Sequence, residues 1–190
     1  METVESILAY WLQDLREQDW YAGGAALDAA IRTRFAETWQ EARVGKLDDW
    51  QASPNGVLAF LILTDQMARN MHRGTALAFA TDPQAHAAAD RALARGWDLK
   101  IAVPERQFFY TPFMHSETMA DQNRSVACYA TRFGGPDPDH LLHARAHREV
   151  IRKYGRFPTR NAAMGRENST EELAYLDEGG YAALIKALKA

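Results

Sequence analysis

The chain has 190 residues, of which 22 are Lys or Arg and 25 are Asp or Glu, so its formal net charge is −3, and 47% of its residues are hydrophobic. A chain of this length buries roughly 70% of its unfolded surface and needs no disulfide or metal ion to hold a core. The composition is typical of one soluble globular domain.

Simple features exclude several classes of protein. No run of 18 apolar residues is present, which excludes a transmembrane helix, and the acidic start METVESILAYW argues against a signal peptide. The single cysteine, Cys128, excludes an intrachain disulfide and a cysteine-based zinc site. We therefore expect a cytoplasmic protein without membrane contact. The small net charge argues against a dedicated nucleic-acid binder.

Apolar residues at helical spacing predict three helices in the first part of the chain. The first covers residues 3–15, and the second has an apolar stripe from Leu27 to Ala42 and ends at Gly45. A turn is predicted at Ser53-Pro54-Asn55-Gly56. The third helix then runs from Val57 to Met71.

The middle of the chain is rich in alanine and then in aromatic residues. Residues 75–95 are predicted to be helical, with Asp82 as a helix cap and Pro83 at the first helical position. Residues 97–114 show no clean period, and a long aromatic loop of this kind is often functional. Ser116 is predicted to cap a helix over 117–132.

The last part of the chain is predicted to contain helices separated by a polar loop or short helix from Arg156 to Arg166. Ser169 and Glu172 form a capping-box pattern. The predicted helices are 139–154, 170–178 and 181–189. No alternating run predicts a strand, so we expect an all-α fold: one domain over residues 1–190 with about seven to nine helices.

A polar stripe begins in the third helix, directly after an apolar run from Val57 to Leu63. Its members share one helix face. They are Asp65, Gln66, Arg69, Asn70 and Arg73. One interpretation is a solvated face or an ion network between helices, and the other is the lining of a ligand pocket, because buried ions must be paired.

A second candidate cluster is His115-Ser116-Glu117, at the predicted start of a helix. One interpretation is a plain helix cap followed by a first-turn acid. The other is an anion site at the helix N-terminus, or acid–base chemistry shared by His115 and Glu117.

Three histidines, His140, His143 and His147, lie roughly on one face of the helix 139–154. Metal ligation uses such spacing. Apolar residues from Val150 to Tyr154 continue the same face, however, which favours histidines in or beside the core. We predict no metal site and, without a recognised cofactor motif, no cofactor.

Arginines alternate with packing residues in the segment that follows. The candidate residues are Arg156, Arg160, Asn161 and Arg166. A fixed loop of this kind presents guanidinium groups to a carboxylate or a phosphate. The alternative is that the arginines pair with Asp65, Glu117 and helix C-termini. Cys128 is interpreted as a buried small residue rather than a nucleophile.

Three separated motifs resemble the bacterial domain-of-unknown-function family 924, and the resemblance extends from about Ile7 to Leu176. The motifs are Asp65-Gln66-x-x-Arg69-Asn70-x-x-Arg73-Gly74, Pro112-Phe113-x-His115-Ser116-Glu117, and Gly155-Arg156-Phe157-Pro158-x-Arg160-Asn161 with Gly165-Arg166. The resemblance implies a compact, tetratricopeptide-like helical fold and no particular activity. Thr159 stands where many members have histidine, which argues against a required histidine there.

Because the polar clusters coincide with these motifs, we expect them to meet around one centre that also includes His147. A centre this rich in arginine favours a small anionic ligand or an acidic peptide end over a metal. One alternative is an enzyme with His115 or His147 as acid–base group, oriented by Glu117 or Asp65. Another is a non-catalytic interaction scaffold whose motifs form an ion network. RNA binding by residues 140–166 is a weaker alternative, and the sequence does not indicate the oligomeric state.

The charge is unevenly distributed along the chain. Residues 1–68 contain 5 basic and 11 acidic groups, whereas residues 140–166 contain 7 basic groups and one acidic group, Glu149. Opposite charges attract, so we expect these regions to pack together, with Asp65 near Arg156 or Arg160.

Overall fold

The computed structural model describes residues 1–134 and 138–189, and these residues contain helices and no β-strand. The prediction of an all-α fold is thus confirmed, whereas tetratricopeptide-like packing stays a prediction. The α-helices are α1 (Val4–Ala9), α2 (Asp19–Ala22), α3 (Ala25–Arg43), α4 (Pro54–Leu61), α5 (Ala68–Met71), α6 (Asp82–Ala94), α7 (Thr111–Met114), α8 (Met119–Thr131), α9 (Pro138–Tyr154), α10 (Thr170–Asp177) and α11 (Gly180–Lys189).

Two helices contain π-helical segments, in which the hydrogen bonds span one residue more than in an α-helix. Helix α1 continues as a π-helix over Tyr10–Asp14, and α4 passes through a π-helix over Ile62–Met67 into α5. Residues 54–71 are therefore one continuous helix. When continuous segments are counted once and the short 3₁₀-helices are left aside, the described residues contain eight helices longer than a single turn, in agreement with the seven to nine predicted.

The chain divides into two compact units, Met1–Pro112 and a second unit from Phe113 onward. The prediction of a single domain over residues 1–190 stays a prediction. Within the described residues, no helix combines the length and the apolar composition that crossing a membrane requires.

The first unit is built around the continuous helix over residues 54–71, in which every residue from Gly56 to Ala68 is buried. Phe60, Leu61 and Leu63 are at most 1% exposed, and α4 packs against α1 and α6. The predicted aromatic loop belongs to this core, because Phe108 and Phe109 are fully buried. Burial in the core thus accounts for these aromatic residues, and a functional role of the segment stays a prediction.

The second unit has a smaller core, formed where α8 packs along α9 and where α11 contacts α9. Three buried residues form one of its hydrophobic clusters, and tyrosines and a leucine from α9, α10 and α11 pack against them. The buried residues are Val150, Ile151 and Phe157, and the partly buried ones are Tyr154, Tyr175, Tyr181 and Leu184.

Several predicted helix starts differ from the structure. The segment from Ser53 to Gly56 is the first turn of α4 rather than a separate turn, since the Ser53 hydroxyl accepts a hydrogen bond from the Gly56 N–H. Asp82 is the first residue of α6 and not its cap; Thr81 precedes the helix. The Asp82 carboxylate instead accepts hydrogen bonds from Arg69.

The start of α8 also differs. Thr118, not Ser116, caps this helix, because its hydroxyl accepts a hydrogen bond from the Asp121 N–H. Glu117 therefore precedes the helix and is not a first-turn acid. By contrast, the capping box of Ser169 and Glu172 at the start of α10 is confirmed.

Candidate functional site

The polar stripe lies on the π-helical segment Ile62–Met67, the α5 turn that follows it and, for Arg73, the turn after α5. Asp65 is 1% exposed and accepts a hydrogen bond of 2.6 Å from Gln66 Nε2. Arg69 donates to the Asp65 carbonyl oxygen at 2.7 Å and binds both oxygens of Asp82 at 3.0 and 3.1 Å. Burial opposes the charge of Arg69, but Asp65 and Asp82 outweigh it and raise its pKa.

The end of the stripe binds a carboxylate from α3. Arg73 donates to both oxygens of Asp28 at 2.6 and 3.0 Å, and Asn70 Nδ2 donates to the same carboxylate at 2.8 Å. Arg73, followed by Asn70, holds the pKa of Asp28 below its usual value. The guanidinium groups of Arg69 and Arg73 thus bind carboxylates of their own unit, as the ion-network interpretation requires.

In the second unit, Glu117 binds Arg166. The two Glu117 oxygens accept hydrogen bonds of 2.7 and 3.0 Å from the Arg166 guanidinium, and one of them also accepts from the Phe157 N–H at 2.8 Å. Although burial favours the neutral acid, these donors lower the pKa of Glu117. The predicted alternative, in which an arginine of this segment pairs with Glu117, holds for Arg166.

Arg156 forms a similar pair with a buried acid. Its Nε and Nη2 atoms donate to the two oxygens of Glu172 at 2.6 and 2.8 Å, and Glu172 is 2% exposed. Asn161 is fully buried and donates to Asn168 at 2.7 Å and more weakly to Glu172. Arg156 above all, with Ser169 and Asn161, lowers the pKa of Glu172 to about 2.

Ser116 belongs to the turn before α8. Its hydroxyl donates to an Asp121 carboxylate oxygen at 2.7 Å, and the same oxygen accepts from Thr118 Oγ1 at 2.8 Å. Ser116 thus orders the start of the helix through Asp121.

The two candidate histidines of this unit lie close together. The ring centroids of His115 and His147 are 6.1 Å apart, and the His147 ring meets the Phe157 ring edge-on at 5.6 Å. Arg160 covers Phe157 at 4.5 Å from the ring centroid and donates to the His115 carbonyl oxygen at 2.8 Å. We call His115, His147, Phe157 and Arg160 the histidine cluster.

The hydrogen bonds of His147 define its tautomer. Nδ1 lies 2.9 Å from the His143 carbonyl oxygen, which can only accept, so Nδ1 must carry the hydrogen and Nε2 the lone pair. The Tyr181 hydroxyl lies 3.0 Å from the same Nδ1 and 2.8 Å from Nδ1 of His143. Nε2 of His147 forms no hydrogen bond with the part of the chain that the structure describes.

His147 is neutral at physiological pH. Burial first, and then the neighbouring His115, lower its pKa to about 3; the charges of His143 and Arg160 act in the same direction, whereas the hydrogen bond with the His143 backbone opposes them. Positive charges near an imidazole disfavour its protonated form. His115, His143 and Arg160 thus disfavour the protonated form of the His147 ring.

The sequence-predicted residues form several groups inside each unit, and the Glu117–Arg166 pair contacts the histidine cluster through the Phe157 backbone. One group contains Asp65, Gln66, Arg69, Asn70 and Arg73 in the first unit. Three groups in the second unit are the Glu117–Arg166 pair, the Arg156–Asn161–Glu172 network and the histidine cluster. The expected meeting of all motifs at one centre stays a prediction.

Sequence reasoning missed the role of Tyr181, which lies in a short C-terminal helix outside the motifs and had no distinguishing signal. It also missed Asp28 and Asp82 as partners of the stripe, because such pairing depends on tertiary structure. In residues 1–134 and 138–189, no three His, Cys, Asp or Glu side chains are arranged to hold a metal ion.

A model of the family "Bacterial protein of unknown function (DUF924)" matches residues 7–180. Because the match extends over most of the sequence, the chain belongs to this bacterial family. The resemblance inferred from the three motifs is thereby confirmed. No curated protein matches the chain.

Among solved structures, the chain is similar to the protein of unknown function ATU0120 from Agrobacterium tumefaciens. The two share 37% sequence identity with a TM-score of 0.85, over 92% of this chain and 97% of that chain. The likeness supports the helical fold and attaches no activity to it.

Proposed function

We propose that the protein is a cytoplasmic binder of a small anionic molecule or an acidic peptide end, and that the ligand binds at the histidine cluster. The observation behind this proposal is a neutral His147 with its Nε2 lone pair unused by the described residues, beside His115 and the cationic Arg160. An anion beside this imidazole stabilises the imidazolium form and raises the pKa of His147. Binding is therefore expected to be accompanied by proton uptake.

The polar stripe of the first unit has a different role in this proposal. Arg69 and Arg73 bind Asp82 and Asp28 through two nitrogen atoms each, so their charges are already compensated. An anion would have to displace these carboxylates at a cost of several kcal/mol, on the order of that for breaking a buried pair. We therefore propose a structural role for the stripe, as in the scaffold hypothesis.

The test is a titration of the protein with inorganic phosphate, acetate and succinate near pH 7, followed by NMR of the histidine rings. We expect at least one anion to shift the His147 signals in a saturable way towards those of the protonated ring. The variant H147N should lose this response, and H140N, altered on the same helix, should keep it. The proposal fails if no anion of the panel changes the His147 signals.

Acid–base catalysis is a second candidate, favoured by the fixed tautomer of His147. A pKa of about 3 makes the free imidazole a weak base at neutral pH. An anionic substrate that raises this pKa would remove that limitation. The proton is held in place by the His143 carbonyl and Tyr181, not by Glu117, which binds Arg166. Conversion of a bound anion, followed by NMR of the anion itself, would support catalysis; an unchanged anion would leave binding alone.

A further inference from the structure

A groove of about 300 Å³ lies between α9, α10 and α11, apart from the histidine cluster. Its floor is the apolar edge of the small core and its walls include two tyrosine rings. Residues that define it are Val150, Tyr154, Tyr175, Ala183, Leu184 and Ala187. This volume is at the lower end of the range for small-molecule sites.

A side chain of the protein itself indicates which chemistry fits the groove. The Lys153 ammonium nitrogen lies 5.0 Å from the centroid of the Tyr154 ring, a distance at which the ring face attracts a cation. Tyr175 packs against Tyr154 with ring centroids 5.1 Å apart, which orients the aromatic wall. The Tyr154 ring thus already contacts an alkylammonium group, namely the side chain of Lys153.

The rim of the groove has a carboxylate available for a cation. Glu149 is bound by Arg152 at 2.5 and 2.8 Å, whereas Glu178, also on the rim, forms no ion pair with the described residues. Tyr154, and then the carboxylates of Glu178 and Glu171, raise the pKa of Lys153. The carboxylates of Glu178 and Glu171 therefore favour positive charge at the position of the Lys153 ammonium.

We propose that this groove binds an aliphatic amine. Its ammonium group takes the position of the Lys153 ammonium over the Tyr154 ring, next to Glu178, and its alkyl part lies along Leu184 and Ala187. The ligand and the Lys153 side chain compete for the same aromatic face. Removing the lysine ammonium therefore opens the site.

The test uses butylamine, which reproduces the end of a lysine side chain, with butanol and butyrate as matched probes. Binding is followed by NMR of the Tyr154 ring and the alanine methyl groups of α11. We expect butylamine to shift these signals, and K153M to bind it about two- to five-fold more tightly, as the size of a cation–π contact suggests. K186M, which removes a lysine of α11 outside the groove, should not change the affinity.

Two further variants separate the parts of the site. E178Q, at an exposed position, should weaken butylamine binding about two- to five-fold. Y154F should retain binding because the ring face is kept. The proposal is overturned if neither wild type nor K153M responds to butylamine, if butanol gives the same shifts, or if K186M gains as much as K153M.

Discussion

At the scale of single residues, four arginines of the three motifs each bind a carboxylate through two nitrogen atoms. The pairs are Arg69 with Asp82, Arg73 with Asp28, Arg156 with Glu172, and Arg166 with Glu117. The planar guanidinium matches a carboxylate in this geometry, which lysine does not reproduce. The abundance of arginine in the motifs is therefore explained by pairing inside each unit.

The pair of Arg156 and Glu172 should be the most sensitive to substitution, because Glu172 is 2% exposed. R156M leaves a buried carboxylate without its cation, and we expect a loss of about 3–5 kcal/mol in the free energy of unfolding, measured by chemical denaturation. Restoring neutrality with R156M/E172Q should recover part of this loss.

The matched control is R152M, which breaks the surface pair with Glu149 and should cost at most about 1 kcal/mol. If R156M is no more destabilising than R152M, the buried pair of Arg156 and Glu172 does not stabilise the fold more than a surface pair does.

The lowered pKa of His147 predicts a dependence of stability on pH. The unfolded chain takes up a proton at this histidine below about pH 6.5, whereas the folded chain resists protonation down to about pH 3. Acidification through this window therefore favours unfolding, by up to about 1.4 kcal/mol for each pH unit from this one group. Above about pH 6.5 the histidine is neutral in both states and costs no free energy of unfolding. As the pH falls through the window, the free energy of unfolding decreases.

We expect H147N, whose amide can still donate to the His143 carbonyl, to show a smaller decrease in the free energy of unfolding between pH 7 and pH 5 than the wild type does. Denaturation curves at both pH values measure the difference. Equal decreases in the two proteins would contradict the pKa assigned to His147.

At the scale of elements, the continuous helix over residues 54–71 needs a glycine near its start. A Cβ atom on Gly56 would lie 1.9 Å from the Trp50 carbonyl oxygen, far inside any tolerated contact. G56A should therefore force α4 away from residue 50 and lower the free energy of unfolding by about 1–3 kcal/mol or more.

The neighbouring exposed position provides the control, because N55A removes a surface side chain and should change stability by no more than about 0.5 kcal/mol. Thermal or chemical denaturation of both variants measures the difference in stability. A G56A protein as stable as N55A would show that the close approach to Trp50 is not required.

The elements also indicate which parts of the fold were accessible from sequence. Helical periodicity and the local pattern of Ser169 and Glu172 predicted α10, because both signals lie within one segment. The role of Asp82 was misassigned because a cap and an ion-pair partner look alike in sequence, and only the position of Arg69 distinguishes them. The π-helical segment at Asp65 had no sequence signal, since it depends on packing around a fully buried helix.

At the scale of the whole molecule, the uneven charge is partly neutralised within the second unit. Of the basic groups in residues 140–166, Arg152, Arg156 and Arg166 bind acids of that unit. The expectation that Asp65 lies near Arg156 or Arg160 stays a prediction of the charge pattern.

A double-mutant cycle with D65N and R160Q tests that expectation. If the two residues are neighbours, the effects on the free energy of unfolding should deviate from additivity by about 0.5–3 kcal/mol. Effects that add within about 0.5 kcal/mol would show that the two side chains do not interact.

The central claim is that His147 is neutral in the free protein, with an unprotonated Nε2 atom that takes up a proton when an anionic ligand binds. Two-bond ¹H–¹⁵N correlation NMR of the histidine rings at pH 7 tests it most directly, since the two ring nitrogens have distinct shifts in each tautomer and in the imidazolium. We predict a neutral ring with the hydrogen on Nδ1 and the lone pair on Nε2. A protonated His147 at pH 7, or a neutral ring with the hydrogen on Nε2, would contradict the proposed site.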